Sequence, residues 1–421
     1  MLPSVSKKSL FTFALFGLIL PVTHAEAQEM WDSNVVSVKG RIDQQYERLG
    51  IRMPGQFLFY PGIQLEETYD DNIYRTNSDE ESDFITSVQP SMRLRSDWKV
   101  HALEFLARGD LGYYNDNGAE DYEDYTVRTY GRLDVRYNTF IEGWLQQLHT
   151  HEDRSSPDDV NSDEPTELDI TVGHVGFTRA LGRLKLSTFA EHQELTFDNS
   201  IKGGTVINND ERNRYHQRYQ LRLAYEYIPN YDIFTRYIYN IRRYDATGMA
   251  DRDSDGHEIA VGTAVDISGK MRGELYAGYL AQEYDRGFDD VTEMNYGGQL
   301  LWNITGITSL TGGIDREVNE TSFANASAYV RTRYRIGLEH ALQQNIVADA
   351  GLHYGEDDFV SINGGSAGRQ DESYGGGMGM EYYPAAGVKT RLGYQYFKRD
   401  SSIAAETYVN NLVKASFGFT Y

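Results

Sequence analysis

The segment 126–138, "TVRTYGRLDVRYN", places Val127, Thr129, Leu133, Val135 and Tyr137 on one series of alternate positions and Arg128, Arg132, Asp134 and Arg136 on the other. Successive side chains of a β-strand point to opposite faces, so this stretch carries one apolar and one cationic face. The scheme recurs. In 215–228, Tyr215, Tyr219, Leu221, Leu223, Tyr225 and Tyr227 oppose His216, Arg218, Arg222 and Glu226, and in 329–340, Val330, Tyr334, Ile336 and Leu338 oppose Arg331, Arg333, Arg335 and Glu339. A slip of one residue would exchange the faces, so register is strongly specified. Strands of this kind call for a different solvent on each side of their sheet.

From Phe57 to Tyr421 the alternation runs in segments of roughly 10 to 15 residues, whereas strands of soluble sandwiches and propellers average ~5 to 6. The connections alternate too. Short ones lie at 181–183, 228–232, 266–271 and 384–387; long acidic or glycine-rich ones lie near 70–82, 113–123, 153–166, 199–212, 246–254, 319–327 and 357–372. Tight turns at one end and long loops at the other are the asymmetry of an outer-membrane barrel, and the segments number about 18, an even count as that fold requires. The expected fold class is therefore all-β: a transmembrane antiparallel outer-membrane β-barrel of about 18 strands, with short periplasmic turns and long acidic outer loops. This places it in the outer membrane of a Gram-negative bacterium, with lipid bilayer and lipopolysaccharide as its surroundings.

Lys7 and Lys8 precede the apolar run "SLFTFALFGLILPV", and Ala25 and Ala27 stand at a signal-peptidase spacing, so residues 1–27 read as a secretory signal peptide. Residues 28–56 lack a sustained period of either kind and read as a periplasmic N-terminal extension, a candidate docking or plug element. Residues 57–421 form the barrel. No later stretch offers ~18 consecutive apolar residues for a spanning helix. Without cysteine, hydrogen bonding and packing rather than disulfides must hold the exported chain together. Its 32 tyrosines argue against disorder, and a formal net charge of −23 argues against nucleic acid as a partner. The acids crowd into loop segments and arginine into the strands. The stretch "NNLVKASFGFTY" aligns Val413, Ala415, Phe417, Phe419 and Tyr421 on one face and resembles the assembly signal of barrel proteins generally.

Residues 47–98 carry "GIR" (50–52), "FLFYP" (57–61), "YDDNIYRT" (69–76), "SDFI" (82–85) and "QPSMRLRSDW" (89–98). This region resembles the opening of the putative β-barrel porin 2 family, outer-membrane barrels that commonly accompany exopolysaccharide biosynthesis and export. The resemblance implies a polysaccharide cargo and a periplasmic polysaccharide-export protein docking on the short-turn side.

A barrel of ~18 strands encloses water, because side chains alone fill only ~8-stranded ones. Arginine on the lipid face costs ~2 to 4 kcal/mol at mid-bilayer, so Arg128, Arg132, Arg136, Arg218, Arg222, Arg331, Arg333, Arg335 and Arg391 are expected to line the lumen. Two readings of that lining stand side by side. A guanidinium ladder would favour an anionic solute such as an acidic polysaccharide. Alternatively the arginines pair across strands with Asp134, Glu226, Glu339 and similar acids in a wall of little net charge. The corresponding functions are a pore exporting an acidic exopolysaccharide, a general diffusion porin for small solutes, or a non-conducting surface or adhesion barrel. The loop 153–166 is a candidate constriction by its length.

Other motifs weigh less. "DRDSDG" (251–256) sets Asp251, Asp253 and Asp255 at alternate positions before Gly256, like the start of a calcium loop, but the twelfth position is Gly262 instead of a bidentate glutamate. A solvated acidic loop is the competing reading, and no metal or cofactor is expected. His149 and His151 stand beside Glu152 and Asp153, yet phosphate-loop motifs are absent, so the chain is not expected to be an enzyme.

Overall fold

The computed structural model describes residues 35–246, 251–267, 269–285, 287–323, 325–362 and 368–421. The expected signal peptide, 1–27, lies outside them. The described chain begins with a helix, α1 (Val38–Tyr46), and a three-residue strand, β1 (Ile51–Met53). Long strands follow: β2 (Phe57–Asp70), β3 (Asp83–Ser96), β4 (Ala102–Tyr114), β5 (Tyr122–Arg136), β6 (Thr139–His151), β7 (Glu167–Leu181) and β8 (Leu184–Phe197). A small hairpin of β9 (Ser200–Lys202) and β10 (Thr205–Ile207) stands apart in its own sheet. Then come β11 (Arg214–Ile228), β12 (Tyr231–Tyr244), β13 (Ser254–Ile267), β14 (Met271–Tyr284), β15 (Val291–Thr305) and β16 (Thr308–Glu320). The last five are β17 (Ala326–Gln343), β18 (Ile346–Ser361), β19 (Gln370–Ala385), β20 (Val388–Ser401) and β21 (Tyr408–Thr420).

Each long strand pairs antiparallel with its sequence neighbours, β8 pairs with β11, and β21 returns to β2 from Gly62↔Thr420 to Asp70↔Leu412. The ring of eighteen strands is thereby closed, while β1 merely extends the edge of β2. Closure satisfies the backbone groups internally, which is what allows a sheet to sit in hydrocarbon. Tight turns gather at one end, where Asn138 (φ 56°), Gly182 (φ 61°), Asn230 (φ 72°) and Gly387 (φ 77°) take the left-handed conformation that two-residue hairpins require.

Burial is inverted relative to a soluble protein. On alternate positions Leu145, Leu352 and Met294 are 68%, 64% and 63% exposed, while Glu381 is 2% and Arg222 6% exposed. An apolar outer face of this kind is dressed for lipid. Tyrosines border it: Tyr334, Tyr354 and Tyr374 stand in register on β17, β18 and β19 with ring centroids 6.0 and 5.3 Å apart, and Tyr227 and Tyr231 meet near the tight turns. Aromatic rings at two heights are the girdles of a transmembrane barrel.

The structure departs from the sequence expectations in three places. The long connections near 319–327 and 357–372 are partly strand, because β17 begins at Ala326 and β18 runs to Ser361 with the ladder between them continuing to Ala326↔Ser361. Residues 38–46, expected to lack periodicity, form α1, capped by the Ser37 hydroxyl, which accepts from the Gly40 N–H at 3.2 Å. Third, the β15–β16 ladder reaches only from Thr305↔Thr308 to Gly298↔Ile314, leaving 291–297 and 315–320 unpaired with each other. Gly297 and Gly298 stand at this fork, where a Cβ would run into Tyr276 and the backbone of Ile314 and Glu274. Above it Val330 and Ala328 of β17, 2% and 0% exposed, pack with Leu280 and Tyr284 of β14 and with Val291, so the outer ends of β16 and β17 lean into the barrel.

Candidate functional site

The arginine-bearing face meets carboxylates that are themselves in strands. Arg331 grips Asp357 with Nε and Nη2, each at 2.6 Å. Arg333 donates to Asp315 and Glu317, both at 3.0 Å, and Arg335 to Asp315. Arg391 donates to Asp349 at 2.6 and 2.9 Å and to Glu381 at 3.3 Å. Arg222 reaches Glu274 at 2.9 Å and lies 3.5 Å above the Phe234 ring. Arg132 pairs with Asp134 on its own strand and covers Phe140 at 3.7 Å, and Arg128 lies 5.1 Å from the Trp144 ring. Arg218 stands half-buried opposite Glu191 and Asn240 in the ladders, and Arg136 is exposed at the turn end of β5.

Pairing is thus the rule along the wall, with different acids from those expected. Asp134 has the anticipated role, but Glu226 accepts the Asn230 N–H at 3.0 Å and Glu339 accepts the Lys39 N–H at 2.9 Å. The separation of acid into loops and base into strands therefore fails for Glu274, Asp315, Glu317, Asp349, Asp357 and Glu381. These acids occupy the same alternate series as the arginines, a signal visible in the sequence once both charge signs are counted.

At the tight-turn mouth α1 lies against the inner face. The Val38 N–H donates to the Ser309 hydroxyl at 2.8 Å, Lys39 pairs with Glu381 at 2.8 Å, and the Tyr383 hydroxyl donates to Asp43 at 2.7 Å. Val38 and Ile42 pack on Val347 and Tyr383. The helix therefore rests along β16 to β20 before the chain crosses to β2 and β3, where Glu47 meets Arg93.

At the long-loop mouth residues 152–166 act as a strap. Near its origin Glu152 takes both Arg212 Nη atoms at 2.9 and 2.7 Å, and Arg154 donates to Glu120 at 3.0 and 2.6 Å. Across the ring from β6 and β7 it is tied again: the Ser155 carbonyl accepts from Arg399, the Pro157 carbonyl from Arg369 at 3.0 Å, and Asp158 from the Thr321 hydroxyl at 2.6 Å and the Ser322 N–H at 2.9 Å. Burial pushes Asp159 up to about 6 despite Arg154 beside it. For Asp153 burial acts in the same sense, but the Arg75 charge and bonds from Ser155 outweigh it and hold the carboxyl below its usual value. The anchoring arginines Arg154, Arg212, Arg369 and Arg399 were not singled out from sequence. They lie at strand ends and in loops, where no periodicity marks them.

A sequence profile described as "Putative beta-barrel porin 2" matches residues 43–420, nearly the whole described chain. The chain belongs to the putative β-barrel porin 2 family. Family membership and the closed ring together give this porin 2 family barrel its coarse role, that of a pore or channel in the outer membrane. No curated protein matches it. Among solved structures it is similar to the FrpB iron transporter of Neisseria meningitidis in its apoprotein form (10% identity, TM-score 0.48), covering 83% of this chain and 62% of that one. It is also similar to OccK2 (OpdF) of Pseudomonas aeruginosa (9% identity, TM-score 0.47, 86% and 98% covered) and to opdK of the same organism (11% identity, TM-score 0.46, 86% and 99% covered). The chain thus spans about three fifths of the length of the FrpB transporter.

The remaining motifs find local roles. Asp255 pairs with Arg243 at 2.9 Å, and Asp253 accepts the Tyr244 N–H at 2.7 Å. Among the described residues no group of three or more His, Cys, Asp or Glu side chains is placed to hold a metal ion, Asp251, Asp253 and Asp255 included. His149 and His151 meet Asp169 and Asp124 at 3.1 and 3.0 Å.

Proposed function

We propose that this barrel is an outer-membrane pore for export of an acidic exopolysaccharide, with Arg128, Arg132, Arg136, Arg218, Arg222, Arg331, Arg333, Arg335 and Arg391 along the solute path. One observation carries the anionic preference. In the Arg391–Asp349 pair the guanidinium is 25% exposed and the carboxylate 3%, and in Arg335–Asp315 the figures are 43% and 14%. At these two pairs the partner turned toward water is the cation, and exposed cations of a pore wall favour anions. A periplasmic polysaccharide-export protein on the tight-turn side would meet α1 first, and engaging the helix would clear the inner mouth.

The test is the reversal potential of the purified protein in a planar bilayer under a salt gradient, together with polymer secretion by a deletion strain. Anion selectivity and lost secretion are expected; a cation-selective pore or undiminished secretion would overturn the reading. The strap 152–166 favours a second reading, a diffusion pore for small solutes, since a polymer requires the strap to move aside. Liposome-swelling assays with sugars of rising size separate the two by their cut-off.

A further inference from the structure

Where the strap meets the wall, a small hollow lies between the 3-10 turn at Asp210–Arg212, the ends of β11, β12 and β16, and the approach to β13. Its basic residues are Arg212, Arg214 and Arg252. Arg212 is neutralised by Glu152. Arg252 is not neutralised. It is 8% exposed, its Nε has no hydrogen-bond partner, and its Nη2 makes only two long contacts, 3.4 Å each, to the carbonyls of Phe323 and Ala326. Arg214 uses two of its five N–H donors, on the Arg212 carbonyl at 2.7 Å and the His216 ring at 3.2 Å. Neither has a carboxylate within ion-pair distance among the described residues.

The acids lining the same hollow are occupied or turned away. Glu320 takes Arg242 and the hydroxyls of Tyr244 and Tyr284, at 2.6 and 2.9 Å from the latter two. Asp158 is held by Thr321 and Ser322, and Glu211 is exposed to solvent. A buried guanidinium without a counter-charge is costly, and a hollow beside it is where such a charge fits.

We propose that this hollow is an oxyanion site, in which Arg252 and Arg214 bind the carboxylate of an acidic sugar or a phosphate group. Guanidinium suits both, since its planar fork matches two oxygens of either group. The site lies at the junction of strap and wall, so occupancy fastens Asp158 and the β16–β17 turn to β11 and β12. It does not depend on the pore reading, because binding is measured without transport.

The full barrel in detergent is heated with sodium galacturonate or sodium phosphate, ionic strength being balanced with sodium chloride, and the loss of the compact form is read on unboiled gels. For the wild type, a rise in midpoint of about 2 °C or more with at least one anion is expected, and the stronger one names the source. Arg252→Met removes the rise and, with no anion present, is at least as stable as the wild type, an outcome a purely structural arginine would not give. Arg214→Gln supplies the same comparison if Arg252→Met does not assemble. No rise with either anion, or an undiminished rise in the variants, would sink the site.

Discussion

Arg316 on β16 donates to Glu293 on β15 at 3.1 Å, across the part of the wall where those strands share no ladder. Its guanidinium also lies 5.6 Å from the Tyr296 ring and bonds the Thr332 hydroxyl, and the Tyr296 and Tyr334 hydroxyls meet at 3.3 Å. Side chains thus close what backbone closes elsewhere. Arg316→Ala is expected to speed amide exchange in 291–297 and 315–320 while leaving 298–305 protected, as followed by hydrogen-exchange mass spectrometry. Equal exchange along the whole of β15 would contradict this account of the fork.

Arg391 holds two nearly inaccessible carboxylates, Asp349 and Glu381. Lys39 still holds Glu381 in its absence, but Asp349 is left buried without a counter-charge, so Arg391→Gln should cost ~3 kcal/mol of stability. Urea unfolding of the barrel in detergent checks it, and a loss below about 1 kcal/mol would mean water already screens the pair.

Asp158 is one of the strap's far anchors, beside the Ser155 and Pro157 carbonyls held by Arg399 and Arg369. Asp158→Ala removes its bonds to Thr321 and Ser322 while the near anchors at Arg212 and Arg154 persist. Single-channel conductance should rise and protease cleavage within 152–166 should quicken. Unchanged conductance would place the strap outside the current path.

Asp159 gives the strap a dependence on acidity. Its folded value of about 6 lies above the ordinary 3.8, so the docked strap prefers the protonated carboxyl. That contribution is complete below pH ~4 and is lost as pH rises through ~6, a swing of roughly 3 kcal/mol. Asp153 has the opposite sign and weakens docking only below its own ordinary range. Conductance should therefore fall between pH 7 and pH 5, and Asp159→Asn should already show the lower value at pH 7. A profile that is the same in the variant would acquit Asp159.

The wall was largely legible because period two leaves no choice of face: the expected strand 215–228 is β11 but for one residue, and Phe57 opens β2. The partners of the arginines were not legible, since Arg222 reaches Glu274 three strands away and sequence fixes register only between neighbours. α1 escaped because it is nine residues long with one short apolar row, Val38, Ile42 and Tyr46, facing a wall instead of a core. Length flagged the strap, but its far anchors are bonds to backbone carbonyls and turn residues, which leave no trace in residue pattern.

The seat of α1 has a consequence in time. Val38 is 271 residues from Ser309 and Asp43 is 340 from Tyr383, so the surface that receives the helix is made by the last third of the chain. The leading segment therefore has no seat until β16 to β20 have paired with one another, whichever strands form first. A fluorophore on α1 would therefore act as a clock for the pairing of those five strands.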